Sequence, residues 1–301
     1  MPKIQIIILF FLLPFSPSFG QTIEGVKLKI QQILLNEKAE VGVAIRGKNA
    51  KDTLSINGDK HLPMQSVFKF HIALAVLSEI DKGKLSLNQV ISIKQEDLLP
   101  NLYSPIREKY PKGTTLSLAE VLEYTVAKSD NVGCDILLKL IGGPRFVEDF
   151  FKKKGFQNIS IKINESTMQN DWDSQFLNWT SPKAANQVLL AFYENSNNLL
   201  SKNSHRFLWK TMKATETGAD RLKGKLPKGT VVAHKTGFSG TNKDGVTAAV
   251  NDIGIVFLPD GNYFLISVFV SNSRENITEN ERIIANIAKT AWDYFKEKPK
   301  E

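Results

Sequence analysis

Segments with the composition of β-strands lie at the two ends of this 301-residue chain, and helical segments lie between them. Near the start, "VGVAIRG" (41–47) and "TLSING" (53–58) flank a polar turn. From residue 229 onward, "GTVVAHKTG", "VTAAVNDIGIVFLP" and "YFLISVFV" follow one another, with Pro-Asp-Gly (259–261) as the last turn. The simplest assembly is one antiparallel sheet built from both chain ends.

Helical signals fill the middle of the chain, from residue 66 to about 213. The segment "SVFKFHIALAVLSEI" is apolar on nearly every side, which predicts a buried helix. Ser117-x-x-Glu120 has the pattern of a capping box before "LAEVLEYTVA". A polar loop is predicted at about 157–181, and a further helix from Pro182.

Two more helices are predicted to cover the sheet, one from each end of the chain. Residues 22–37 repeat apolar side chains at helical spacing. A similar stripe follows Thr278-x-x-Glu281, a second capping-box pattern. The expected fold class is therefore α/β (α+β): an antiparallel sheet built from both chain ends and flanked by terminal helices, with an inserted all-helical domain.

The same pattern divides the chain into two expected domains. Residues 21–63 plus 214–301 form the α/β sheet domain, and residues 64–213 form the helical domain, which includes the polar loop. A cleft between two such lobes is the default place for a binding site.

Residues 1–20, "MPKIQIIILFFLLPFSPSFG", have the pattern of a secretory signal peptide, with one lysine, an apolar run and small residues at the end. A transmembrane anchor is the alternative. It is disfavoured because the run from Ile4 to Phe15 is short for a span of roughly 20 residues and is interrupted by Pro14. Cleavage near Gly20 would deliver the chain to the periplasm or outside the cell, with no membrane attachment afterwards.

Composition excludes several classes of function. Cys134 is the only cysteine, so no intramolecular disulfide can form, and the core must supply the stability. The net charge of +8 falls by one if Lys3 is removed with the signal peptide. No aromatic-basic stripe indicates nucleic-acid binding, so we interpret the charge as a solvated basic surface. The 4 histidines lack metal-ligand spacing, so no metal and no cofactor is predicted. A monomer is expected.

Ser66-Val-Phe-Lys69 lies at the start of the first buried helix predicted. Residues i and i+3 share a helix face, so the Ser66 hydroxyl would lie beside the Lys69 amine, at the positive end of the helix dipole. A serine hydroxyl needs a neighbouring base to become a nucleophile. A lysine made neutral by desolvation and nearby positive charge can serve. The structural alternative is a chance match, because the S-x-x-K pattern alone is frequent.

Ser129-Asp130-Asn131 lies at the junction of two predicted helices. Its serine can relay a proton to a leaving nitrogen, and its asparagine amide can both donate to and accept from a substrate amide. Asp130 can fix the turn. The structural alternative is a helix N-cap, a position that all three residue types favour.

Lys235-Thr236-Gly237 ends a predicted strand, and Glu165 lies in the polar loop as part of "INESTMQ". A lysine and a hydroxyl at a strand edge suit a carboxylate, and a glycine lets a ligand approach the backbone. The structural alternative is a strand end that leads into a turn. Taken alone, Glu165 reads as a solvated acid.

The order S-x-x-K, S-D-N, loop glutamate and K-T-G resembles the class A serine β-lactamases over essentially the whole mature chain. Order and spacing agree together, which makes chance matches improbable. The surrounding segments "MQSVFKFH", "SDNVGCD" and "GADRLKGKLPKGTVVAHKTG" are most similar to the PER-type and CfxA-type branch, which includes extended-spectrum cephalosporinases. The resemblance implies the fold shared by serine β-lactamases and DD-peptidases.

The resemblance implies catalytic roles for four residues. Ser66 is the nucleophile that opens the β-lactam ring, Lys69 assists proton removal, and Ser129 passes a proton to the leaving ring nitrogen. Glu165 activates the water that hydrolyses the acyl-enzyme. The base for acylation stays open between Lys69 and Glu165.

The resemblance also implies a set of residues that bind a small-molecule β-lactam: Tyr103, Asn131, Gln169, Arg221, Lys235, Thr236, Gly237, Phe238 and Ser239. Tyr103 would flank the cleft mouth, and Asn131 would hold the substrate's side-chain amide. The backbone N–H groups of Ser66 and Phe238 would form the oxyanion hole. The residues implied to meet the substrate carboxylate are Arg221, Lys235, Thr236 and Ser239.

The loop departs from the usual family pattern. The common E-x-x-L-N reads "ESTMQ" here, and the positions of a frequent Arg–Asp ion pair are Ile163 and Asn178, which cannot form it. We therefore expect a rearranged loop and a wider cleft suited to bulky oxyimino-cephalosporins. Phe238, at a position where smaller residues are usual, would narrow the same cleft.

Two rival functions use the same parts. A penicillin-binding DD-peptidase would act on peptidoglycan and would normally lack the loop glutamate. A β-lactam sensor would acylate and stop, and such sensors are usually joined to transmembrane helices. The sequence favours the hydrolase because Glu165 is present.

Overall fold

A computed structural model describes residues 22–298 of the chain, and within them the chain forms ten strands and ten α-helices. The strands are Glu40–Gly47 (β1), Thr53–Ile56 (β2), Leu62–Pro63 (β3), Val90–Lys94 (β4), Gly113–Ser117 (β5), Ile159–Ser160 (β6), Trp179–Thr180 (β7), Val232–Phe238 (β8), Thr247–Phe257 (β9) and Tyr263–Ser273 (β10). The helices are Ile23–Leu34 (α1), Phe68–Asp81 (α2), Pro105–Lys109 (α3), Leu118–Ala127 (α4), Asn131–Ile141 (α5), Pro144–Lys153 (α6), Glu165–Asn170 (α7), Pro182–Glu194 (α8), Lys202–Lys213 (α9) and Ile277–Glu297 (α10). Short 3₁₀ turns span Gln65–Val67, Gln95–Asp97, Asp173–Leu177 and Ser196–Asn198.

The main sheet joins the two ends of the chain, as predicted. Its strand order is β2-β1-β10-β9-β8, and every neighbouring pair in it is antiparallel. The link between the ends is the pairing of β1 with β10, in which Val43 faces Val268 and Ile45 faces Ile266. The expected antiparallel sheet of the α/β fold class is confirmed.

Each face of the sheet has its own hydrophobic core. On one face, the terminal helices α1 and α10 pack on each other and on the sheet, with Ile30, Ile284 and Trp292 in the shared core. On the other face, α8 packs on β1 and β10, and the helical region gathers around α2. Most of α2 is buried, as its nearly continuous apolar sequence predicts.

The middle region differs from the expected all-helical domain because it also holds two small sheets. Strands β4 and β5 pair as a two-stranded sheet, and β3, β7 and β6 form a three-stranded one. The predicted polar loop at 157–181 carries β6, α7, a 3₁₀ turn and β7. Periodicity missed these elements because runs of two to five residues are too short to separate a strand from a helix.

Of the two capping boxes predicted from the sequence, the structure confirms one. Ser117 accepts from the backbone N–H of Glu120, and Glu120 accepts from that of Ser117, which confirms the first capping box. The second was wrong. The N-cap of α10 is Asn276, whose side chain accepts from the backbone N–H of Glu279, so Thr278 lies inside the helix.

The predicted signal peptide falls outside the described residues. Among residues 22–298, no helix combines the length and the apolar character that a membrane crossing needs.

Candidate active site

One cleft between the sheet and the helical region collects most of the residues singled out in the sequence. Three other residues, Gln65, Thr217 and Gly240, also line it. The residues predicted from sequence that line it are Ser66, Tyr103, Ser129, Asn131, Glu165, Gln169, Arg221, Thr236, Gly237, Phe238 and Ser239. Lys69 and Lys235 lie behind this lining, and their amines contact Ser66 and Ser129.

Ser66 lies in the 3₁₀ turn that leads into α2, with its side chain partly exposed to the cleft. The turn and helix place Lys69 on the same face, and Lys69 Nζ lies 2.9 Å from Ser66 Oγ. The preceding residue, Gln65, has a φ of +46°, and its side-chain amide donates to Gln175 Oε1 at 2.6 Å. This bond ties the serine turn to the loop that carries Glu165.

Lys69 is fully buried and is surrounded by oxygen atoms. Its Nζ donates to the Ser129 carbonyl at 2.8 Å and to Asn131 Oδ1 at 2.5 Å, besides its contact with Ser66. Glu165 Oε1 lies 2.9 Å from the same nitrogen. This contact has the distance of an ion pair, although Glu165 Oε1 has no hydrogen-bond partner among the described residues.

Glu165 is 2% exposed and is the first residue of the short helix α7. Asp135 of α5 holds this helix start, because its carboxylate accepts from the backbone N–H of Glu165 at 2.7 Å and of Ser166 at 2.9 Å. Burial raises the pKa of Asp135 to about 6. Sequence reasoning missed Asp135, although a lone acid within the apolar segment "NVGCDILLKLI" was a usable signal.

Asn178 takes the place of the absent ion pair in the loop. Its side chain is fully buried, and its Oδ1 accepts from the backbone N–H of Lys162 at 2.7 Å and of Ile163 at 3.1 Å. Its Nδ2 donates to the Ile163 carbonyl at 2.9 Å. The loop base is therefore closed by an amide and backbone groups instead of by two charges.

Ser129 faces Lys235 across the cleft. Lys235 Nζ donates to Ser129 Oγ at 3.0 Å and to the Thr236 carbonyl at 2.9 Å. Ser129 has a φ of +59°, an uncommon conformation for a serine. Burial lowers the pKa of the fully buried Lys235 well below its usual range, and the charge of Lys69 lowers it further.

Asp130 fixes the turn that presents Ser129. It is the N-cap of α5, and its carboxylate accepts from the Gly133 backbone N–H at 2.8 Å, the Ser104 hydroxyl at 2.8 Å and the Ile106 backbone N–H at 2.7 Å. The structural alternative weighed for the Ser-Asp-Asn segment thus holds for its aspartate. The other two residues face the cleft.

Strand β8 is the edge strand that forms one wall of the cleft. The Ser239 N–H donates to the Ala249 carbonyl of β9, and in an antiparallel pair alternate residues face the partner strand. The Phe238 N–H therefore faces the free edge, toward the serine turn. Gly237 allows the close approach, because a Cβ there would lie 2.5 Å from the Met64 carbonyl oxygen.

Two aromatic side chains form the rim of the cleft. Tyr103 is 54% exposed and Phe238 is 46% exposed. Gln169 is also exposed, at the end of α7. Ser239 Oγ donates to the Gly240 carbonyl and accepts from the Ala249 N–H.

Arg221 lies at the cleft but is largely engaged by the protein. Its Nη1 donates to the carbonyls of Gly237 at 2.9 Å and Asn251 at 3.1 Å, and its Nε lies 3.2 Å from Glu281 Oε1. The guanidinium also lies 6.0 Å from the centroid of the Phe238 ring. Its position supports the end of β8 as well as facing the cleft.

Among residues 22–298, no three His, Cys, Asp or Glu side chains are grouped in a way that could hold a metal ion. Cys134 is fully buried, which raises the pKa of its thiol. The thiol packs in the hydrophobic core of the helical region.

Comparison with known proteins gives a consistent result. Residues 25–295 match the beta-lactamase enzyme family. The chain is 54% identical over 287 residues to beta-lactamase VEB-1 of Pseudomonas aeruginosa, covering 95% of each chain. It is 45% identical over 270 residues to extended-spectrum beta-lactamase PER-1 of the same species, covering 89% of this chain and 86% of the relative. The crystal structure of TLA-3 extended-spectrum beta-lactamase superimposes with a TM-score of 0.89 at 49% identity, over 92% of this chain and 100% of that one.

Proposed function

The chain belongs to the beta-lactamase enzyme family, and from that premise we propose which of its residues carry out the reaction. It is a class A enzyme of the PER-type branch that hydrolyses β-lactams and confers resistance to them, as the resemblance implied. The rival functions, a DD-peptidase and a sensor, are not favoured by these relatives.

Acylation begins at Ser66. Its hydroxyl attacks the β-lactam carbonyl carbon while its proton passes to a base, which is Lys69 acting as a neutral amine or Glu165. The distance of 2.9 Å between Lys69 Nζ and Ser66 Oγ supports Lys69 as a base that can accept the Ser66 proton. The backbone N–H groups of Ser66 and Phe238 stabilise the oxyanion, a role supported by the Phe238 N–H, which faces the free edge of β8 beside the serine turn.

Ser129 returns a proton to the ring nitrogen when the amide bond breaks. Its hydroxyl accepts from Lys235 Nζ at 3.0 Å, which leaves its own O–H free to donate into the cleft. The positive charge of Lys235 makes this O–H a better proton donor.

Deacylation depends on Glu165, and the single observation that carries the proposal is its placement. A carboxylate that is 2% exposed lines the same cleft as Ser66 and lies 2.9 Å from the amine that contacts Ser66 Oγ. A water held there would be oriented and deprotonated to attack the ester. Asp135 and Asn178 hold the backbone on both sides of this carboxylate.

Substrate binding uses the remaining cleft residues. Lys235, Thr236 and Ser239 on the β8 side meet the substrate carboxylate, together with Arg221. Asn131 and Gln169 face the amide side chain of the substrate, and Tyr103 flanks the mouth. The catalytic and binding residues lie between a sheet domain of residues 21–63 plus 214–301 and a helical domain of residues 64–213.

The substrate range extends to oxyimino-cephalosporins. The loop around Glu165 is built without the frequent ion pair, with Asn178 bonded to the backbone of Ile163 instead. PER-1 and TLA-3, two of the relatives, carry the term extended-spectrum in their names. Export by a signal peptide within residues 1–20, action in the periplasm or outside the cell, and a monomeric state complete the proposal.

Nitrocefin turnover by purified protein tests the proposed function. We expect wild-type protein to convert many equivalents, and Ser66→Ala to convert none above background while keeping its thermal unfolding temperature. A burst of one equivalent that then stops would instead indicate a sensor. Release of D-alanine from a D-Ala-D-Ala peptide at a rate above nitrocefin hydrolysis would indicate a DD-peptidase.

A further inference from the structure

His234 and Asp252 form a buried polar pair that the proposed reaction does not use. Both side chains are 0% exposed. His234 Nδ1 lies 3.0 Å and 3.1 Å from the two carboxylate oxygens of Asp252. Because a carboxylate only accepts, the imidazole is the donor.

The pair lies directly across strand β8 from Lys235. Neighbouring residues on a strand point to opposite faces, so His234 shares the α1/α10 face with Val232, while Lys235 points to the helical region. In the register of β8 and β9, Asp252 faces Thr236 and Gly254 faces His234. A Cβ on Gly254 would lie 2.8 Å from His234 Cβ, so this glycine keeps the space that the histidine needs.

Asp252 also holds the turn segment 215–224, which carries Arg221. The Leu222 backbone N–H donates to Asp252 Oδ2 at 3.3 Å. A second bond joins the same segment to β8, since Thr215 Oγ1 donates to the His234 carbonyl at 2.7 Å. The histidine and the aspartate therefore lie where the β8–β9 pair meets the segment that brings Arg221 to the cleft.

The Asp252 carboxylate offsets positive charge around the buried amine of Lys235. Burial and Lys69 lower the pKa of Lys235, Arg221 lowers it as well, and Asp252 and Glu165 raise it. Asp252 acts on Lys223 in the same sense, where burial lowers the pKa. Buried cations remain charged only when nearby anions compensate for lost hydration.

We propose that Asp252, oriented by His234, is a positioning residue for substrate binding: its buried charge keeps Lys235 cationic, and its bond to Leu222 holds the Arg221 segment against β8. The inference rests on the proposed function, because it assumes that Lys235 meets the substrate carboxylate. Asp252 itself lies on the opposite side of the strand and does not touch substrate.

Asp252→Asn tests the charge with little change of shape. The expected result is a KM for nitrocefin raised about tenfold with kcat nearly unchanged, because one buried charge near a cation is worth on this order. The methyl ester of nitrocefin, which has no carboxylate for Lys235 to meet, should show the same KM in both proteins. The basic limb of the pH profile of kcat/KM for nitrocefin should move to lower pH, since Lys235 without its counter-charge loses its proton at lower pH.

Two further variants keep the experiment decisive. His234→Asn retains a donor beside the carboxylate and should keep the wild-type pH profile, so it reports on the charge even if Asp252→Asn folds poorly. Asp52→Asn is the matched control, because Asp52 is a buried carboxylate that accepts from the Tyr294 hydroxyl at 2.8 Å, away from the cleft. It should lower the unfolding temperature and leave KM and the pH profile unchanged.

Several outcomes would overturn the inference. One is an Asp252→Asn protein with a lower unfolding temperature but wild-type KM and pH profile per folded molecule. Another is an equal change for nitrocefin and its ester, or an altered pH profile in His234→Asn. A wild-type protein that does not distinguish the acid from the ester would overturn both this inference and the carboxylate role of Lys235, while multiple turnovers of nitrocefin would still support the hydrolase.

Discussion

Lys69 and Lys235 are both fully buried, yet their partners suit them to different tasks. Lys69 contacts the hydroxyl of Ser66 and the carboxylate of Glu165, as a residue that moves a proton must. Lys235 donates to the hydroxyl of Ser129 and to a backbone carbonyl, as a residue that holds a fixed charge must. At the level of single residues, the two buried lysines differ in the oxygen atoms that their amines contact.

The side chains of the motifs could be predicted from the sequence, whereas the residues that hold them in place could not. Ser66 and Lys69 are three positions apart on one helix face, so local geometry already places them together. Asp135 reaches the backbone of Glu165 over 30 positions, and Asn178 reaches that of Ile163 over 15. Contacts of this kind depend on how the loop folds back on α5, which no local pattern encodes.

Asp135→Asn should change how stability depends on pH. Burial raises the pKa of Asp135 to about 6, so the folded protein favours the neutral acid, and this contribution to stability is lost as the pH rises from about 4 through about 6. Asparagine does not titrate. The free energy of unfolding of the wild type, measured in urea, should therefore fall relative to that of the variant as the pH rises between these values. A difference that is constant with pH, or one that grows, would contradict the assignment.

At the level of helices and strands, the sequence predicted a helix start correctly where only one residue nearby was a good N-cap. The capping box at Ser117 was predicted because the serine and the glutamate bond each other across three residues. At the start of α10, Asn276 and Thr278 are both good caps only two positions apart, and the asparagine caps the helix. Strand β4 was missed because it exists only through pairing with β5, about twenty positions later.

The proposed oxyanion hole requires a close approach of strand β8 to the serine turn, and Gly237 tests this requirement. Gly237→Ala should lower kcat/KM for nitrocefin by about 10²–10³, the usual cost of losing one oxyanion donor. The added Cβ would lie 2.5 Å from the Met64 carbonyl oxygen, so the strand must move away from the turn. The change should appear in steady-state kinetics at an unfolding temperature close to that of the wild type.

Gly25→Ala is the matched control for this substitution. Its new Cβ would meet Thr22 Oγ1 at 3.5 Å, an ordinary contact in α1, far from the cleft. Wild-type kinetics in Gly25→Ala and unchanged kinetics in Gly237→Ala would together show that the close approach is not needed.

At the scale of the whole molecule, the fold is closed by pairing its two ends, with β1 beside β10. The core on the α1/α10 face draws on both ends of the chain, which is why the strand-rich ends and the helix-rich middle were enough to predict the main sheet and its terminal helices. The cleft then lies where the edge strand β8 meets the helical region. The wider cleft expected from the sequence stays a prediction, because the cleft width depends on the course of the loop around Glu165.

The rearranged loop leads to a prediction about substrate range. Cefotaxime and ceftazidime should be hydrolysed with kcat/KM within about tenfold of benzylpenicillin, a difference of roughly 1.4 kcal/mol in transition-state stabilisation. Phe238→Ala removes an exposed ring from the rim and should favour ceftazidime over benzylpenicillin. Far slower hydrolysis of both cephalosporins would sink the hypothesis of a wide cleft, and an unchanged ratio in the variant would exclude a role for the ring.

We propose that Glu165 makes this protein a hydrolase rather than a trap for β-lactams, and intact-mass spectrometry of Glu165→Gln would detect the trapped acyl-enzyme. Mixed with nitrocefin, the variant should gain the mass of one opened β-lactam on Ser66 and turn over about 10²–10⁴-fold more slowly than wild type. Glu79→Gln, which changes a buried glutamate paired with Lys82 and Lys84 outside the cleft, should behave like wild type. A Glu165→Gln protein that shows no adduct and turns over at the wild-type rate would exclude this role for Glu165.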